Sequence, residues 1–310
     1  MSMRVLRHPR GVPATVLAVG SFDGVHRGHQ AIVARVRERA KASGAASAVL
    51  TFEPLPREFF APAEAPGRIT SLAEKLACLA TTGLDLAFVE RFDEAFASLT
   101  PDEFELAIRH RYGARHVVVG HDFRYGARRG GDVARLREAG RELGFGVEVV
   151  EPVRDGAARI SSTRVREALA SGDFDTAAQL LGRRYAITGH VVHGDKRGRL
   201  LGFPTANVRL ARPKPALGGI YAVKCFGAAT RGLEGVASLG INPAVRTGGQ
   251  ATLEAYLFDF SGSLYGARLS VEFVKKLRDE AHFASLDALA AQIQRDCEAA
   301  RRHFAAPTGP

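Results

Sequence analysis

The stretch Thr15-Val-Leu-Ala-Val-Gly20-Ser-Phe-Asp-Gly-Val-His26-Arg-Gly-His29 decides the fold of the first half of the chain. It begins with an apolar run that predicts a buried strand, and the residues from about Gly28 to Ala42 have the pattern of a helix. A strand that passes through a glycine turn into a helix opens a β-α-β unit. Because glycines allow close approach of the backbone and a helix start offers free N–H groups, we expect an anion to bind at this turn.

Short apolar runs and helical patterns continue to alternate up to about residue 182. We predict further strands at residues 47–53, 84–92, 115–120 and 146–153, and helices at 71–83, from Thr100-Pro101 onward, at 132–144 and at 162–170. This alternation predicts a parallel sheet that is covered by helices on both faces. In such sheets, ligands bind at the carboxyl ends of the strands.

After Gly182 the pattern changes to closely spaced strands with few helical intervals. The predicted strands are residues 185–194, 202–208, 219–226, 234–240, 252–260 and 269–277, and an amphipathic helix from about Ser285 to Phe304 follows them. This series predicts an antiparallel barrel or sandwich with the final helix on its outside. A chain of 310 residues exceeds what one hydrophobic core usually organises, so we predict two domains, 1–182 and 183–310.

The charge and cysteine content limit the possible partners and compartment. A formal charge of +10 favours acidic partners such as nucleic acid, membrane surfaces or small phosphorylated substrates. The basic residues are spread along the chain, which favours a solvated surface, and the absence of tryptophan does not suggest base-stacking platforms. The three cysteines form no C-x-x-C pair, as is typical of reduced thiols. With no membrane-spanning run and no recognisable targeting segment, we expect a cytoplasmic protein.

His26 and His29 are candidate catalytic residues at the first glycine turn. They are three residues apart at the start of a helix, so they can point at the same phosphate. Two other interpretations are a pair that caps the turn and a zinc site, although no third ligand lies at useful spacing. The position of the pair between strand, glycines and helix favours phosphate chemistry.

A second cluster, Arg159-Ile-Ser161-Ser162-Thr163-Arg-Val-Arg166, also follows a predicted strand and opens a helix. Its hydroxyls, N–H groups and arginines suit a polyphosphate, while an ordinary helix cap with surface arginines is equally compatible. Between the two clusters, the segment Gly120-His-Asp122-Phe-Arg124-Tyr-Gly126 could hold a flat aromatic substrate that carries a phosphate, or it could be a plain loop.

In the second predicted domain, Gly194-Asp-Lys196-Arg-Gly198 is a glycine-spaced basic loop, and Phe203-Pro-Thr205-Ala-Asn207 is an extended segment. In an extended chain, Thr205 and Asn207 point the same way and offer a hydroxyl and an amide oxygen to one metal ion. A phosphate loop and an ordinary hairpin are equally compatible with this stretch.

Glu254 is a candidate base in the predicted strand 252–260, on the same face as Tyr256 and Phe258. The opposite face is formed by Leu253, Ala255 and Leu257. A carboxylate on an apolar face loses solvation and becomes a better base. The alternative is an edge-strand glutamate that faces water.

The motifs G-x-F-D-G-x-H-x-G-H and I-S-S-T-x-x-R together resemble the adenylyltransferase module of bacterial bifunctional FAD synthetases over most of residues 15–182. This resemblance implies a Rossmann-like nucleotidyltransferase domain in which His26 and His29 steady the transferring phosphates and Asp122 lies toward the flavin. It also implies an ATP site formed by Gly20, Phe22, Asp23, Gly24, Gly28, Arg159, Ser162, Thr163 and Arg166. Leu55 departs from the histidine common in the family, so no role of that histidine transfers to this chain.

The glycine loop, the G-F-P-T-A-N run and the strand glutamate resemble the riboflavin kinase module that follows in the same family. This resemblance implies a six-stranded antiparallel barrel with Glu254 as general base and Mg²⁺ at Thr205 and Asn207. The ATP-binding residues that it implies are Gly194, Lys196, Gly198, Thr205 and Asn207. The run Ser238-Leu-Gly-Ile-Asn242-Pro-Ala244 departs from the family's N-I-G-x-x-P-T, so side-chain contacts at its first and last positions do not transfer.

The resemblance implies an enzyme with two reactions. The second domain is expected to convert riboflavin and ATP to FMN, and the first to convert FMN and ATP to FAD and pyrophosphate. The expected partners are these small molecules, without nucleic acid or membrane, and the expected state is a monomer or transient homo-oligomer. Two alternatives remain: an enzyme in which only the first domain is active, and a flavin- or RNA-binding regulator.

Overall fold

A computed structural model describes residues 3–194, 202–212, 214–227, 230–241 and 251–306. Its contacts group into two compact units. The first, here the sheet unit, comprises Met1–Pro66 and Leu72–Ser162, and the second, here the barrel unit, comprises Gly67–Ser71 and Thr163–Pro310. The predicted domain boundary at residues 182 and 183 stays a prediction.

The sheet unit contains a parallel sheet of six strands. They are β1 (Arg4–Leu6), β2 (Thr15–Val19), β3 (Ala46–Glu53), β4 (Leu86–Arg91), β5 (Ala114–Gly120) and β6 (Gly146–Val150), in the order β1-β4-β3-β2-β5-β6. From β2 the chain proceeds to β3 and β4 on one side, and β5 and β6 are added on the other. The strand order therefore reverses between β2 and β5, where sheets of this kind bind ligands at the carboxyl ends of the strands.

Helices cover both faces of this sheet, as the alternating pattern predicts. They are α1 (Arg27–Ser43), α2 (Pro56–Phe60), α3 (Leu72–Thr81), α4 (Glu94–Ala97), α5 (Pro101–Leu106) and α6 (Val133–Leu143), with a π-helical turn at Ala107–Arg111 and a 3-10 turn at Ala127–Arg129. Alternate residues of β2 face opposite cores: Val16 packs with residues of α1 and α3, whereas Leu17 packs with residues of α5 and α6. A short hairpin, β7 (Arg154–Asp155) and β8 (Ala158–Arg159), follows β6.

The start of α5 shows how local chemistry sets an element boundary. The Thr100 hydroxyl accepts the backbone N–H of Glu103 at 3.3 Å, and the Glu103 carboxylate accepts the backbone N–H of Thr100 at 2.8 Å. Pro101 occupies the first helical position, where its missing N–H is not needed. The predicted helix start at Thr100-Pro101 is therefore confirmed.

The barrel unit is a closed antiparallel barrel of six strands in the order β10-β13-β12-β11-β14-β9. These strands are β9 (Ala186–Val192), β10 (Thr205–Val208), β11 (Gly219–Gly227), β12 (Thr230–Ile241), β13 (Ala251–Leu257) and β14 (Arg268–Arg278). Helices α7 (Ser162–Ser171) and α8 (Phe174–Leu181) precede the barrel, and α9 (Leu286–Ala305) follows it. Of the two folds that the sequence left open, the chain adopts the barrel.

Helix α9 packs on the outside of the barrel, as predicted. Its buried Cys297 and Ala300 belong to one apolar cluster with Ile220 of β11 and Val236 of β12. Asp296 of α9 is 4% exposed and binds the Arg278 guanidinium of β14 through Nε at 3.0 Å and Nη2 at 2.8 Å. Within the described residues, no helix combines the length and apolar character needed to cross a membrane.

The segment Gly67–Ser71 belongs to the barrel unit although it lies early in the chain. The backbone N–H of Arg68 donates to the Lys214 carbonyl at 2.7 Å. The Ile69 carbonyl accepts Nη1 of Arg212 at 2.5 Å and the hydroxyl of Tyr185 at 3.1 Å. Residues of the C-terminal half thus bind the backbone of this segment.

Candidate active sites

The loop between β2 and α1 has an unusual backbone. Phe22, Gly24 and Val25 have positive φ angles of 48°, 82° and 43°. A left-handed conformation is easy for glycine, but it is strained for a β-branched residue such as Val25. Such strain persists only where the surrounding structure enforces it, often at ligand sites. Phe22 and Asp23 are 1% and 2% exposed, so the loop is firmly packed.

His26 and His29 lie together at the start of α1. His26 is the N-cap, and its Nδ1 accepts the backbone N–H of His29 at 3.3 Å. The two rings are stacked with centroids 3.7 Å apart, and the Phe22 ring meets His29 edge-on at 5.2 Å. Because His26 accepts a hydrogen bond at Nδ1, its ring proton is on Nε2. The pair both caps the helix and presents two imidazoles at one point.

The two predicted motifs of the first half meet in the structure. The Ser162 hydroxyl donates to the Asp23 carbonyl at 3.0 Å. A β-carbon on Gly28 would lie only 3.1 Å from Cε1 of His26 and 3.4 Å from the Ile160 carbonyl, so only glycine fits there without displacement. Ile160 and Ser162 therefore lie against the loop of the histidine pair, although they are far from it in sequence.

Arg159 and Asp122 form an ion pair beside this site. Nη1 of Arg159 donates to Oδ2 of Asp122 at 2.8 Å, and this hydrogen bond lowers the pKa of the Asp122 carboxyl below its ordinary value. Asp122 follows β5, the strand at which the sheet order reverses. Thr163 and Arg166 lie further along α7 in the barrel unit, where Nε of Arg166 donates to the Gly67 carbonyl at 2.6 Å.

An aromatic cluster at the carboxyl ends of β3 and β4 was not predicted. It consists of Phe52, Phe59, Phe60, Phe92 and Phe96. Phe60 is 66% exposed, which leaves an aromatic face open to solvent. Leu55 is buried at the start of the neighbouring helix α2 and has no polar group to offer a ligand. Three phenylalanines within residues 52–60 could have indicated this cluster in the sequence. The spacing of apolar residues alone does not show that they form an open aromatic face.

In the barrel unit, Thr205, Asn207 and Glu254 share one face of neighbouring strands. Asn207 of β10 lies opposite Glu254 of β13, and the Thr205 hydroxyl donates to Oε2 of Glu254 at 3.1 Å. Leu253, Ala255 and Leu257 are buried on the other face, as the alternation predicts. The expected common orientation of Thr205 and Asn207 is confirmed by this register.

A cavity of about 630 Å³ lies between this outer face of the barrel and α9. Its lining includes Thr205, Ser238, Glu254, Tyr256, Phe283 and Asp296. The cavity thus joins the polar group around Glu254 to an apolar and aromatic wall, and its size is typical of small-molecule sites. Phe283 and Asp296 were not predicted as site residues, because their approach to the barrel depends on how α9 packs.

Gly194 lies directly against Asn207. A β-carbon on Gly194 would overlap the Asn207 side-chain amide, so the glycine leaves room for that amide. The predicted ATP-binding residues Lys196 and Gly198 lie outside the described residues, as do Asn242 to Ala244 of the departing run. Among the residues that the structure does describe, no three His, Cys, Asp or Glu side chains are grouped so as to hold a metal ion.

Comparisons with known proteins identify the family. The FAD synthetase family model matches residues 9–164, and the riboflavin kinase model matches residues 181–304. A bifunctional riboflavin kinase/FMN adenylyltransferase from Escherichia coli K12 is 45% identical over 93% of this chain and 92% of its own. The chain belongs to the bifunctional riboflavin kinase/FMN adenylyltransferase family. The Pseudomonas fluorescens enzyme of this family is 47% identical over 96% of this chain and 94% of its own.

A solved structure shares the fold. A crystal structure described as a macrolide-efflux protein from Streptococcus pneumoniae matches with a TM-score of 0.77 and 30% identity, over 97% of this chain and 99% of that chain. The fold class and the family expected from the motifs are both confirmed. The chain has an N-terminal FAD synthetase domain and a C-terminal riboflavin kinase domain, with riboflavin, FMN, FAD and ATP as substrates or products.

Proposed function

We propose that each reaction uses the residues that the motifs single out, in domains 1–182 and 183–310. The observation that best supports this assignment is that motifs distant in sequence form two separate sites. Ser162 binds the loop of His26 and His29 in one, and Thr205 binds Glu254 in the other. Each site contains the groups that its reaction needs.

For adenylyl transfer, the nucleophile is the phosphate of FMN. It is already ionised at neutral pH, so positioning and charge neutralisation suffice without a strong base. The FMN phosphate oxygen forms a bond to the α-phosphorus of ATP, the α–β phosphoanhydride bond breaks, and pyrophosphate leaves. In this proposal, N–H groups of His26 and His29 stabilise the charge of the transferring phosphate.

The rest of this site holds ATP and orients the flavin. The proposed triphosphate contacts are Gly20, Phe22, Asp23, Gly24, Gly28, Arg159, Ser162, Thr163 and Arg166. Arg159 binds Asp122 in the present structure, so its guanidinium would exchange that carboxylate for a phosphate when ATP binds. Asp122 would then lie toward the flavin, and the open aromatic face at Phe60 suits stacking of a flat ring.

For riboflavin phosphorylation, a base is required because the attacking 5′-hydroxyl is neutral. Glu254 accepts the hydroxyl proton, the oxygen bonds to the γ-phosphorus of ATP, and ADP leaves. The Thr205 hydroxyl donates to Oε2 of Glu254 at 3.1 Å and would orient this carboxylate for the step. The cavity beside Glu254 offers apolar walls for the flavin, while Gly194, Lys196 and Gly198 are proposed for the ATP phosphates.

The residues of the kinase site fit Mg²⁺. Thr205 and Asn207 offer a hydroxyl and an amide oxygen on one face, and oxygen donors are the ligands that Mg²⁺ prefers. Such an ion usually completes its shell with phosphate oxygens and water, which agrees with a site that has few carboxylates. When bound, Mg²⁺ would neutralise charge on the ATP phosphates.

The direct test follows FMN and FAD by chromatography after incubation with riboflavin, ATP and Mg²⁺. His29→Ala is expected to accumulate FMN, with FAD formation reduced by about 100-fold. Glu254→Gln is expected to form no FMN from riboflavin but to convert added FMN to FAD at the parental rate. Each variant is thus the control for the other. Parental FAD formation by His29→Ala, or riboflavin phosphorylation by Glu254→Gln, would show that the roles are assigned wrongly.

We further propose a cytoplasmic enzyme that acts on small molecules only, as a monomer or transient homo-oligomer. All three cysteines, Cys78, Cys225 and Cys297, are free thiols, which is typical of proteins in a reducing compartment. Sedimentation of the purified protein with and without FMN and ATP would measure its oligomeric state. Stable sedimentation as a larger species in both conditions would contradict this proposal.

A further inference from the structure

Lys75 of helix α3 is a buried lysine that no sequence motif singled out. It is 1% exposed, and its Nζ donates to the Ser21 carbonyl at 3.0 Å, the Thr51 hydroxyl at 3.0 Å and the Phe52 carbonyl at 3.4 Å. Lysine is almost never fully buried, because removing an ammonium from water is costly. Three acceptors match the three protons of an ammonium group. The Lys75 ammonium is thus buried at a position where it binds backbone carbonyls at the ends of two strands.

The acceptors of Lys75 connect the loop of the adenylyltransferase site to the next strand. Ser21 directly follows Gly20 at the end of β2, while Thr51 and Phe52 belong to the end of β3. The Thr51 hydroxyl also donates to the Ser21 carbonyl, at 3.1 Å. Two donors therefore hold one carbonyl, and the carboxyl ends of two neighbouring parallel strands are fixed relative to each other.

The fixed carbonyl sets the orientation of the residues that follow. A trans peptide is planar with its C=O and N–H antiparallel, so holding the Ser21 carbonyl directs the Phe22 N–H away from Lys75. Phe22 then adopts its positive φ of 48° and meets the His29 ring edge-on at 5.2 Å. The His29 N–H in turn binds Nδ1 of His26. A continuous series of contacts runs from Lys75 to the histidine pair.

We propose that Lys75 is a positioning residue for adenylyl transfer: it holds the Ser21–Phe22 peptide in the orientation that places His29 and His26. This inference rests on the proposed roles of the two histidines. Lys75 itself touches neither substrate in this proposal and acts through the loop backbone. A lysine that serves only to stabilise α3 would instead affect folding without a specific effect on one reaction.

The test compares Lys75→Met, which keeps the length of the side chain and removes the ammonium, with Leu79→Ala on the same helix. Leu79 is fully buried and contacts the apolar core, so its truncation is expected to destabilise the protein without altering the loop. Steady-state FAD formation, riboflavin phosphorylation and thermal unfolding are measured for both, below the unfolding transition. Riboflavin phosphorylation in the same chain reports whether the protein is folded.

We expect Lys75→Met to lower kcat of FAD formation by about 10- to 100-fold, because a displacement of about 1 Å of a reacting group costs this much. The KM for ATP in FAD formation should change by less than about threefold, as expected when an interaction is lost mainly in the transition state. The rate of riboflavin phosphorylation should also change by less than about threefold. Leu79→Ala should unfold at lower temperature yet keep the parental kcat. Parental kcat in Lys75→Met, or an equal loss in Leu79→Ala, would overturn the inference.

Two further variants separate this inference from the proposed function. Thr51→Val removes the second donor to the Ser21 carbonyl and should lower kcat of FAD formation by about 3- to 10-fold. If Lys75→Met does not fold, this variant tests the inference in its place. In the His29→Ala background, Lys75→Met should add little, because the two changes act on one group. Full additivity would reject the positioning role, whereas unchanged activity of His29→Ala alone would reject the histidine assignment itself.

Discussion

Gly28, the second residue of α1, is a position where activity and stability should respond differently. Alanine is a better helix former than glycine by about 1 kcal/mol, so Gly28→Ala should not lower the free energy of unfolding. Its methyl group would nevertheless lie 3.1 Å from the His26 ring, which must shift. We expect kcat of FAD formation to fall by about tenfold. Thermal unfolding and both activities measure this, with riboflavin phosphorylation as the control; a stable variant with full FAD synthesis would contradict the close contact.

The pair of Asp122 and Arg159 predicts an effect on ATP binding. Because Arg159 lowers the pKa of Asp122, the pair is present at neutral pH and is lost only as the pH falls through that lowered pKa. Its side chains are 57% and 44% exposed, so the pair contributes at most about 1 kcal/mol. Asp122→Asn removes this ion pair and should lower the KM for ATP in FAD formation by about two- to fivefold. A higher KM for ATP at neutral pH would contradict this competition.

At the level of single residues, sequence reasoning succeeded where a motif fixes the backbone. The glycine turn placed His26 and His29 at a helix start, and the structure brings Ser162 to the same loop. Lys75 escaped prediction because a lysine in an amphipathic helix is usually assigned to the solvated face. Its burial follows from the packing of α3 against β2 and β3, which local sequence does not encode.

Helix α9 is attached to the barrel through an apolar stripe and two ion pairs, and Arg278–Asp296 is more buried than Arg301–Asp259. Asp296→Ala would leave the Arg278 guanidinium without its carboxylate in a largely buried place, at a cost of about 3 kcal/mol. Because Asp296 also lines the cavity, the KM for riboflavin should rise as well. Denaturant unfolding and steady-state phosphorylation measure both effects. Glu298→Ala on the exposed side of α9 is the control, and an equal loss there would show that the effect is not specific to the Asp296–Arg278 pair.

The elements most readily predicted were those with strong periodicity. The strand at β2 and helices α1 and α6 lie within a residue or two of their predicted bounds. The three-residue strand β1 was missed because it is too short to show a period. Closure of the barrel was left open because it depends on the pairing of β9 with β14 and of β10 with β13, which are distant in sequence.

At the scale of the whole molecule, the segment Gly67–Ser71 predicts the outcome of truncation. A chain of residues 1–182 lacks Tyr185, Arg212 and Lys214, which bind the backbone of this segment in the full protein. Buried carbonyls that lose their donors cost about 1–3 kcal/mol each. We expect the truncated chain to unfold at lower temperature and to be cut by protease within residues 67–71.

The control for truncation is the full-length Tyr185→Phe variant, which loses a single hydrogen bond and should resist cleavage. Equal protease resistance of the truncated and full chains would show that the segment is held by other contacts. The change of sequence period near residue 183 predicts two domains, but it gives no indication that residues 67–71 group with the barrel unit. The hydrogen bonds of this segment connect residues that are distant in sequence, as for Tyr185 and Ile69, which are 116 positions apart.

The placement of Gly67–Ser71 also bears on how such genes can recombine. A crossover at the junction between the two halves would join five residues from one parent to binding partners from the other. Hybrids of two relatives should therefore keep both activities more often when the codons for residues 67–71 come from the parent that supplies the C-terminal half. In functional chimeras of this family, residues 67–71 and the C-terminal half should therefore come from the same parent, even though the segment between them comes from the other.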